Sequence, residues 1–431
     1  MDKFVIRGGN PLVGTVRVSG AKNSALPCMA AAILTDEPIT LENIPQVRDI
    51  ATERRLLTSM GAEVNSPSDG SITICCRSLS DPVAKYEIVK TMRASSLVLG
   101  PLVARAGRAR VAMPGGCAIG GRPIDLHING LEKMGAQIVQ EHGYLEARTD
   151  RLKGAHLVFD KITVTGTEDL LMAAVLAEGE TVMENCAREP EVTDLAALLS
   201  AMGAQIEGAG TSIIRVQGVT GLHATNYRIN PDRIEAGTFL VAGAMTAGDL
   251  TVADCNPEHL SAVIAKLEET GATVELPAPG SVRVRGGDQL RAADISTEEY
   301  PGFPTDMQAQ YMALATQAEG VSLVKENIFE NRFMHVQELV RMGANIKVEG
   351  RIATVRGATK LSAAAVMCSD LRASASLVLA ALMAEGETIV DRVYHMDRGY
   401  ERFEQKLQGV GAQIQRMGNV FPVKEAEAFA D

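Results

Sequence analysis

The stretch LEKMGAQIV, residues 131–139, has five further versions along this chain. They are LLTSMGAEV (56–64), LLSAMGAQI (198–206), LEETGATVE (267–275), LVRMGANIK (339–347) and LQGVGAQIQ (407–415). The glycines of the six copies are Gly61, Gly135, Gly203, Gly271, Gly343 and Gly411. Their successive separations are 74, 68, 68, 72 and 68 residues. A period that is kept over five intervals indicates a repeat architecture, so the chain contains six copies of one unit.

Each copy has the same order of parts. An amphipathic helix ends at the glycine, which supplies a left-handed C-cap, and a short strand follows. A second helix, rich in Ala, Gly and Ser, ends in a glycine-containing turn, as in RASASLVLAALMAEGETIVDR (372–392). A helix that is apolar on nearly all sides is buried, and small residues allow its neighbours to approach closely. The sequence therefore predicts mixed α/β units whose small-residue helices lie inside.

The chain of 431 residues is too long for one ordinary core, so we expect two α/β domains of three units each. The first domain is predicted to span residues 22–229. The second is predicted to combine residues 1–21 with 230–431, because the last unit has no strands of its own left to complete it. The N-terminal strands FVIRGG and GTVRVSG are available for that purpose. A site is expected in the cleft between the domains.

Composition excludes several classes of function. The net charge of −11, the absence of Trp and the aromatic content of 4% argue against a nucleic-acid partner. No apolar run is long enough to span a membrane, and the start MDKFVIRGG lacks a signal-peptide core, so we expect a cytoplasmic protein. P-loop, GxSxG and HExxH motifs are missing, and no two His are at metal-ligand spacing. The sequence therefore predicts neither a metal nor a cofactor.

The seven cysteines form no CxxC pair, so neither a zinc site nor a disulfide framework is indicated. Cys28, Cys186, Cys255 and Cys368 lie among apolar or small residues, which favours simple packing. Cys117 differs, because it lies in MPGGCAIGGRP (113–123), a loop rich in glycine and proline.

Charged residues stand at the start of most of the small-residue helices. A helix N-terminus favours anions, and a charge on a buried helix is costly unless it is paired or bound to a ligand. The pattern predicts a site for a multiply anionic small molecule. The residues at these positions are Lys22 and Asn23, Arg93, Asp232 and Arg233, Asp306, and Asp370 and Arg372.

The same residues also have purely structural interpretations. A capping box of Thr305 and Gln308 would leave Asp306 in a first helical turn with no chemical role. Lys22 would be a solvated lysine, Arg93 and Arg372 would pair with carboxylates such as Asp370, and Cys117 would be a silent exposed thiol. The corresponding interpretation of the whole chain is a non-catalytic scaffold of six units.

Several longer stretches closely resemble the UDP-N-acetylglucosamine enolpyruvyl transferases, and the resemblance runs over essentially the whole chain. The stretches are SGAKNSALP (19–27), MPGGCAIGGRPIDLHINGLEKMGA (113–136), FPTDMQAQ (303–310), ENIFENRFMHVQEL (326–339), SDLRASASLVLA (369–380) and HMDRGYERFEQKL (395–407). The resemblance implies a two-domain inside-out α/β barrel with three repeats per domain. It also implies transfer of enolpyruvate from phosphoenolpyruvate to the 3′-hydroxyl of UDP-N-acetylglucosamine, with release of phosphate and without a cofactor. This is the first committed step of peptidoglycan synthesis, and it proceeds by addition and elimination through a tetrahedral ketal.

The resemblance also implies roles for individual residues. Cys117 would help to protonate the phosphoenolpyruvate methylene from a lid loop and would be alkylated by fosfomycin, and Asp306 would be the base for the sugar hydroxyl. Phosphate contacts would come from Lys22, Arg122 and Arg398, and contacts near the phosphoenolpyruvate carboxylate from Arg93 and Arg372. Nucleotide-sugar contacts would come from Asn23, Pro123, Ile124, Asp125, Leu126, Lys161, Thr163, Val164, Gly166 and Ile328. Arg332 and Asp370 complete the expected substrate-binding set.

Two sister families share this repeat. The transferases that act on shikimate 3-phosphate lack the PGGCAIGGRP loop, and the RNA 3′-phosphate cyclases use ATP and a histidine nucleophile in a motif that this chain does not have. The expected partners are therefore phosphoenolpyruvate and UDP-N-acetylglucosamine, without nucleic acid or membrane. The oligomeric state stays open.

Overall fold

The six repeated glycines all end helices in the computed structural model, which describes residues 2–67, 70–113, 124–287 and 289–418. Each glycine has a positive φ between 93° and 105°, a conformation that side chains other than glycine's rarely adopt. In every copy, the alanine after the glycine donates its N–H to the carbonyl of the leucine five residues earlier, at 2.9–3.1 Å. This is the Schellman arrangement, and it explains why leucine, glycine and alanine recur at fixed spacing.

The helices and strands follow the predicted repeat. The N-terminal strands are β1 (Lys3–Arg7) and β2 (Val13–Arg17). The first unit contains α1 (Lys22–Ala31), β3 (Ile39–Glu42), α2 (Arg48–Ser59), β4 (Glu63–Asn65) and β5 (Ile72–Cys75). The second contains β6 (Val83–Ala84), α3 (Tyr86–Val89), α4 (Leu99–Ala106), β7 (Arg108–Ala112), α5 (Asp125–Lys133), β8 (Gln137–Glu141) and β9 (Tyr144–Arg148). The third contains β10 (His156–Val158), α6 (Val164–Ala174), β11 (Glu180–Glu184), α7 (Pro190–Ala201), β12 (Gln205–Glu207) and β13 (Ile213–Gln217), and β14 (Thr225–Arg228) follows it.

The second half of the chain repeats this order. The fourth unit contains α8 (Arg233–Met245), β15 (Asp249–Ala253), α9 (Ser261–Glu269), β16 (Thr273–Glu275) and β17 (Ser281–Arg285). The fifth contains β18 (Ile295–Ser296), α10 (Gln308–Ala315), β19 (Gly320–Lys325), α11 (Val336–Arg341), β20 (Asn345–Glu349) and β21 (Ile352–Gly357). The sixth contains β22 (Ala365–Met367), α12 (Leu371–Met383), β23 (Glu387–Asp391), α13 (Phe403–Gln408) and β24 (Gln413–Met417). Short 3-10 stretches are Ala32–Leu34, Arg93–Val98, Pro257–Leu260, Thr305–Met307 and Val393–Arg398.

Within the described residues, the strands form six four-stranded sheets of one topology. In the third unit the order is β10-β11-β13-β12, with β10 parallel to β11 and the other two pairings antiparallel. The helix between the first two strands is the inner helix of a unit, and the helix after the second strand is its outer helix. The inner helices α8 and α12 are buried along nearly their whole length, as their small-residue composition predicts.

The N-terminal strands complete two sheets of the second half. Strand β1 lies between β23 and β24 in the sixth sheet, and β2 pairs in parallel with β15 in the fourth. Strand β14 returns to pair with β3 and so completes the first sheet. The chain therefore passes from the second half into the first and back again.

The buried apolar side chains form two clusters. One is drawn from residues 25–229 and the other from residues 4–18 and 234–414. We propose that these clusters are the cores of two domains, 22–229 and 1–21 with 230–431, because the two clusters share no buried apolar side chain.

The longest helices of the described ranges, α8 and α12, have 13 residues each. No described helix combines the length and apolarity that a membrane crossing requires.

Candidate active site between the two cores

Asp306 lies between two arginines at the start of the inner helix of the fifth unit. Its Oδ1 accepts a hydrogen bond from Arg332 Nη2 at 2.5 Å, and its Oδ2 accepts one from Arg372 Nη2 at 2.8 Å. Arg332 follows β19, whereas Arg372 lies in the first turn of α12, so the site joins two units. Burial alone would raise the pKa of Asp306, but Arg372 and then Arg332 outweigh it and hold this pKa well below its usual range.

The prediction of a capping box formed by Thr305 and Gln308 is wrong. The residue that precedes the helical turn is Pro304, and no side chain caps it. The Thr305 hydroxyl donates instead to the Glu326 carboxylate at 2.9 and 3.0 Å, because an ionised acceptor makes the stronger hydrogen bond. The Gln308 amide donates to the backbone carbonyl of Arg332 at 3.2 Å. Both side chains therefore hold the segment that carries Arg332.

The pairing of Arg372 with Asp370 is also wrong. Asp370 Oδ1 caps α12 and accepts from the backbone N–H groups of Arg372 and Ala373 at 2.9 and 3.0 Å. Asp232 caps α8 in the same way. The substrate-binding role of Asp370 stays a prediction.

Asp49 connects the two cores. It accepts hydrogen bonds from Lys22 at 3.2 Å and from Arg398 at 3.0 and 3.4 Å. Lys22 opens α1 in the first core, whereas Arg398 ends the 3-10 stretch Val393–Arg398 in the second. The interpretation of Lys22 as a solvated lysine is wrong, because its side chain is only 11% exposed. The structure thus brings two of the predicted phosphate contacts to one carboxylate.

Sequence reasoning missed Asp49. It lies in the first turn of an ordinary amphipathic helix, where acidic residues are common for reasons of the helix dipole. No local signal distinguishes Asp49, because Lys22 lies on another helix and Arg398 lies 349 residues away in the chain.

A further ion pair crosses the interface. Arg233, in the first turn of α8, donates to both oxygens of Glu191, in the first turn of α7, at 3.0 and 3.2 Å. Burial opposes the charge on Arg233, but Glu191, Glu189 and Asp306 together raise its pKa. Asp306 is therefore within electrostatic reach of this pair as well.

The 3-10 stretch Val393–Arg398 packs against α12 and connects the Asp306 and Asp49 groups. His395 lies on it and interacts electrostatically with both Arg398 and Asp370. Burial and then Arg398 lower the pKa of His395, while Asp370 opposes them. The charged starts of four inner helices thus converge where the two cores meet.

Glu53 lies one helical turn after Asp49 on α2. It is 1% exposed, and neither of its carboxyl oxygens has a hydrogen-bond partner. Burial, reinforced by Asp49, raises the pKa of Glu53 to about 8. A neutral acid therefore lies beside the carboxylate that holds Lys22 and Arg398.

We expect Glu53→Gln to stabilise the protein increasingly as the pH rises. Between the unfolded pKa of Glu53 and a pH of about 8, the unfolded chain releases a proton that the folded chain keeps, so the free energy of unfolding of the parent falls over this range. The loss is up to roughly 5 kcal/mol, and a glutamine does not titrate. Thermal unfolding of both proteins from pH 5 to 8.5 measures it, with the exposed Glu63→Gln as control. A difference in Tm between variant and parent that does not change with pH would contradict the prediction.

The predicted nucleotide-sugar residues of the first core lie at the starts of two helices. Ile124, Asp125 and Leu126 form the start of α5, and Thr163, Val164 and Gly166 form the start of α6, with Lys161 just before it. Of these residues, Leu126 lines a cavity of about 430 Å³, whose other walls come mainly from α5 and from residues 157–160.

The Thr163 hydroxyl caps α6 by accepting from Gly166 N at 3.2 Å. Asn23 follows Lys22 in α1, and the backbone N–H of Ile328 donates to Glu326 at 2.9 Å. Arg93 opens the 3-10 stretch that leads into α4.

The predictions for Cys117, Arg122 and Pro123 lie outside the described residues. The other six cysteines are buried and form no disulfide, which confirms the packing role predicted for Cys28, Cys186, Cys255 and Cys368. Burial raises the pKa of Cys76, Cys186 and Cys368 to about 12. Among the described cysteines, these three are therefore poor nucleophiles near neutral pH.

Comparison with known proteins identifies the family. A sequence model described as EPSP synthase (3-phosphoshikimate 1-carboxyvinyltransferase) matches residues 6–407. A UDP-N-acetylglucosamine 1-carboxyvinyltransferase of Acidobacterium capsulatum is 77% identical over 431 residues, which cover 99% of each chain. Another, of Solibacter usitatus, is 64% identical over 97% of this chain and 100% of its own. The chain belongs to the UDP-N-acetylglucosamine 1-carboxyvinyltransferase family.

Solved structures of carboxyvinyltransferases have the same fold. The enolpyruvyl transferase NikO from Streptomyces tendae superposes with a TM-score of 0.87 at 25% identity, covering 96% of this chain and 99% of its own. EPSP synthase from Acinetobacter baumannii superposes with a TM-score of 0.75 at 21% identity, covering 97% of this chain and 100% of its own. The predicted fold class is confirmed, and the protein is a transferase.

Proposed function

We propose that this carboxyvinyltransferase moves the enolpyruvyl group of phosphoenolpyruvate to the 3′-hydroxyl of UDP-N-acetylglucosamine and releases phosphate. The observation that carries the proposal is Asp306 held between Arg332 and Arg372, within electrostatic reach of the Arg233–Glu191 pair that joins the two cores. The relatives at 64% and 77% identity support the acceptor, because their names specify it. EPSP synthase, at 21% identity, shares the fold alone.

The substrate carries a carboxylate and a phosphate, and the site offers cations for both. Arginine recognises planar oxyanions through two parallel N–H groups, which suits Arg372 to the carboxylate. Lys22 and Arg398 suit the phosphate, whose departure requires its charge to be neutralised. In the structure Asp306 pairs with Arg372, and Asp49 pairs with Lys22 and Arg398. The anionic substrate therefore displaces these carboxylates from the cations.

This replacement activates the base. While Asp306 holds both arginines, its pKa is too low for it to accept a proton effectively. When the substrate carboxylate draws Arg372 away, the pKa of Asp306 rises towards that of a useful base. The sugar is therefore deprotonated only after phosphoenolpyruvate is in place.

The reaction then proceeds in two steps. The 3′-oxygen forms a bond to C2 of phosphoenolpyruvate as its proton passes to Asp306, and Cys117 supplies a proton to C3. The Cys117 thiolate then takes a proton back from the methyl group of the tetrahedral ketal as the C2–O bond to phosphate breaks, so the double bond forms again and phosphate leaves. Cys117 acts from a glycine-rich lid that closes over the nucleotide and excludes water.

We place this reaction in the cytoplasm, at the start of peptidoglycan synthesis, where it supports cell wall formation, cell shape and division. The starts of α5 and α6 would hold the nucleotide, and Leu126 at the first of them borders the cavity of about 430 Å³.

We expect phosphate release from phosphoenolpyruvate with UDP-N-acetylglucosamine and none with shikimate 3-phosphate. Pretreatment with fosfomycin should abolish release and add the mass of the epoxide at Cys117, because a thiolate opens it. Cys117→Ser should lose the mass shift. Release with shikimate 3-phosphate alone would reassign the acceptor, and no release from folded protein with either acceptor would remove the proposed activity.

A further inference from the structure

A buried histidine and carboxylate connect three helices of the first core. His127 Nδ1 lies 2.9 Å from Asp169 Oδ2, and the two side chains are 2% and 0% exposed. The other oxygen of Asp169 accepts the backbone N–H of Gly100 at 2.7 Å. The far nitrogen of the ring, Nε2, lies 3.4 Å from the Thr165 hydroxyl. Asp169 therefore contacts α4 directly, α5 through His127 and the first turn of α6 through His127 and Thr165.

Two glycines make this arrangement possible. A Cβ on Gly100 would lie 2.2 Å from the carbonyl oxygen of Asp169, and a Cβ on Gly130 would lie 2.3 Å from Leu170. A larger residue at Gly100 would push α4 away from the backbone of α6, and one at Gly130 would force the Leu170 side chain to move. The close approach of the three helices and the contacts of Asp169 thus depend on each other.

The helices involved carry the predicted nucleotide-sugar residues. His127 lies two residues after Asp125, and Thr165 lies between Val164 and Gly166. The Asp169–His127 pair lies beneath both segments without belonging to the set that the resemblance supplies. It also differs from the Asp306 group, which belongs to the second core, and from Asp49, which contacts Arg398 of that core.

We propose that Asp169 is a positioning residue for the nucleotide-sugar substrate, which acts through His127 to hold the starts of α5 and α6 in their binding arrangement. This inference rests on the proposed function, since it assumes that the two starts bind the nucleotide sugar. An ionised Asp169 can only accept hydrogen bonds, so the ring nitrogen that faces it, His127 Nδ1, must carry the proton. The ring is thereby held in one orientation, with Nε2 directed at Thr165.

Asp169→Asn tests the inference with little change of shape. The asparagine oxygen still accepts from Gly100, but its NH₂ group now faces Nδ1, which must give up its proton to accept a hydrogen bond. The proton then moves to Nε2. ¹⁵N–¹H correlation spectra of the histidine ring, recorded on the full-length protein without substrate, should show Nδ1 protonated in the parent and unprotonated in the variant.

Steady-state kinetics provide the second readout. We expect the KM for UDP-N-acetylglucosamine to rise about tenfold in Asp169→Asn, because a protonated Nε2 can no longer accept the hydrogen bond of the Thr165 hydroxyl. A tenfold change corresponds to about 1.4 kcal/mol, the size of one hydrogen bond. The KM for phosphoenolpyruvate and kcat should stay within about twofold of the parent, because uniform binding affects KM alone. Thr165→Val should raise the same KM by less. The matched control is Glu184→Gln, since His156 and Glu184 form a pair of similar length, 2.8 Å, that is exposed.

The two readouts separate the possible failures. An unprotonated Nδ1 in the parent protein would overturn the role of Asp169 whatever the kinetics show. A parent that releases no phosphate would remove the proposed function and leave the ring spectrum unaffected. Equal rises of both KM values, or a fall of kcat alone, would overturn positioning of the nucleotide sugar in particular.

Discussion

Asp306→Asn should lower kcat by about 1,000-fold, the size expected when a general base is removed. The amide keeps the shape of the carboxylate but cannot take the proton of the sugar hydroxyl. It also leaves Arg332 and Arg372 without their shared counter-charge, so phosphoenolpyruvate no longer competes with a carboxylate for Arg372. We therefore expect the KM for phosphoenolpyruvate to fall or stay level while kcat falls. Phosphate release at varied concentrations of each substrate measures both quantities.

The matched control for this variant is Asp254→Asn. Asp254 also pairs with an arginine, Arg17, at 2.7 Å, but its side chain is 55% exposed. Its loss should leave kcat unchanged, because exposed ion pairs contribute little. An Asp306→Asn protein that is folded and keeps more than about a tenth of the parent kcat would be incompatible with a base at this position.

The second large effect is expected for Arg398→Ala. This change removes a cation from the predicted phosphate position and also the bridge from the second core to Asp49. We expect kcat/KM for phosphoenolpyruvate to fall by about 100- to 1,000-fold, the range seen when one charge-stabilising donor is lost. The contact between the two cores should weaken as well, which small-angle scattering with and without substrates detects.

Arg402→Ala is the control, since Arg402 follows in the same segment and also reaches the first core. It contacts Gln46 at 3.2 Å and is exposed. If Arg398 acts only as an interface contact, the two variants should lose activity to a similar degree. A specific loss in Arg398→Ala, together with a weaker dependence of KM on salt, supports contact with phosphate.

The sequence predicted which helices start with charged residues, but it predicted wrong partners for some of these charges, because the true partners are distant in the chain. Each helix start is a local feature, since it requires only a polar residue before an apolar run. The partner of each charge is not local: Asp306 meets Arg372, 66 residues away, and Asp49 meets Arg398, 349 residues away. The local pairings expected for Thr305 and Asp370 were wrong because, in the folded chain, Thr305 donates to Glu326 and Asp370 caps α12.

The sequence by itself determined the repeat and the fold class. The six turns are closed by hydrogen bonds between residues five positions apart, as from Ala62 to Leu57, and the inner helices reveal their burial through their own composition. Such signals lie within one unit and need no knowledge of the others. The tertiary structure alone decided that Asp49 joins Lys22 to Arg398, that Asp306 pairs with two arginines, and that Asp169 contacts His127. These pairings depend on which units pack against each other, and a single sequence does not encode that geometry in any short stretch.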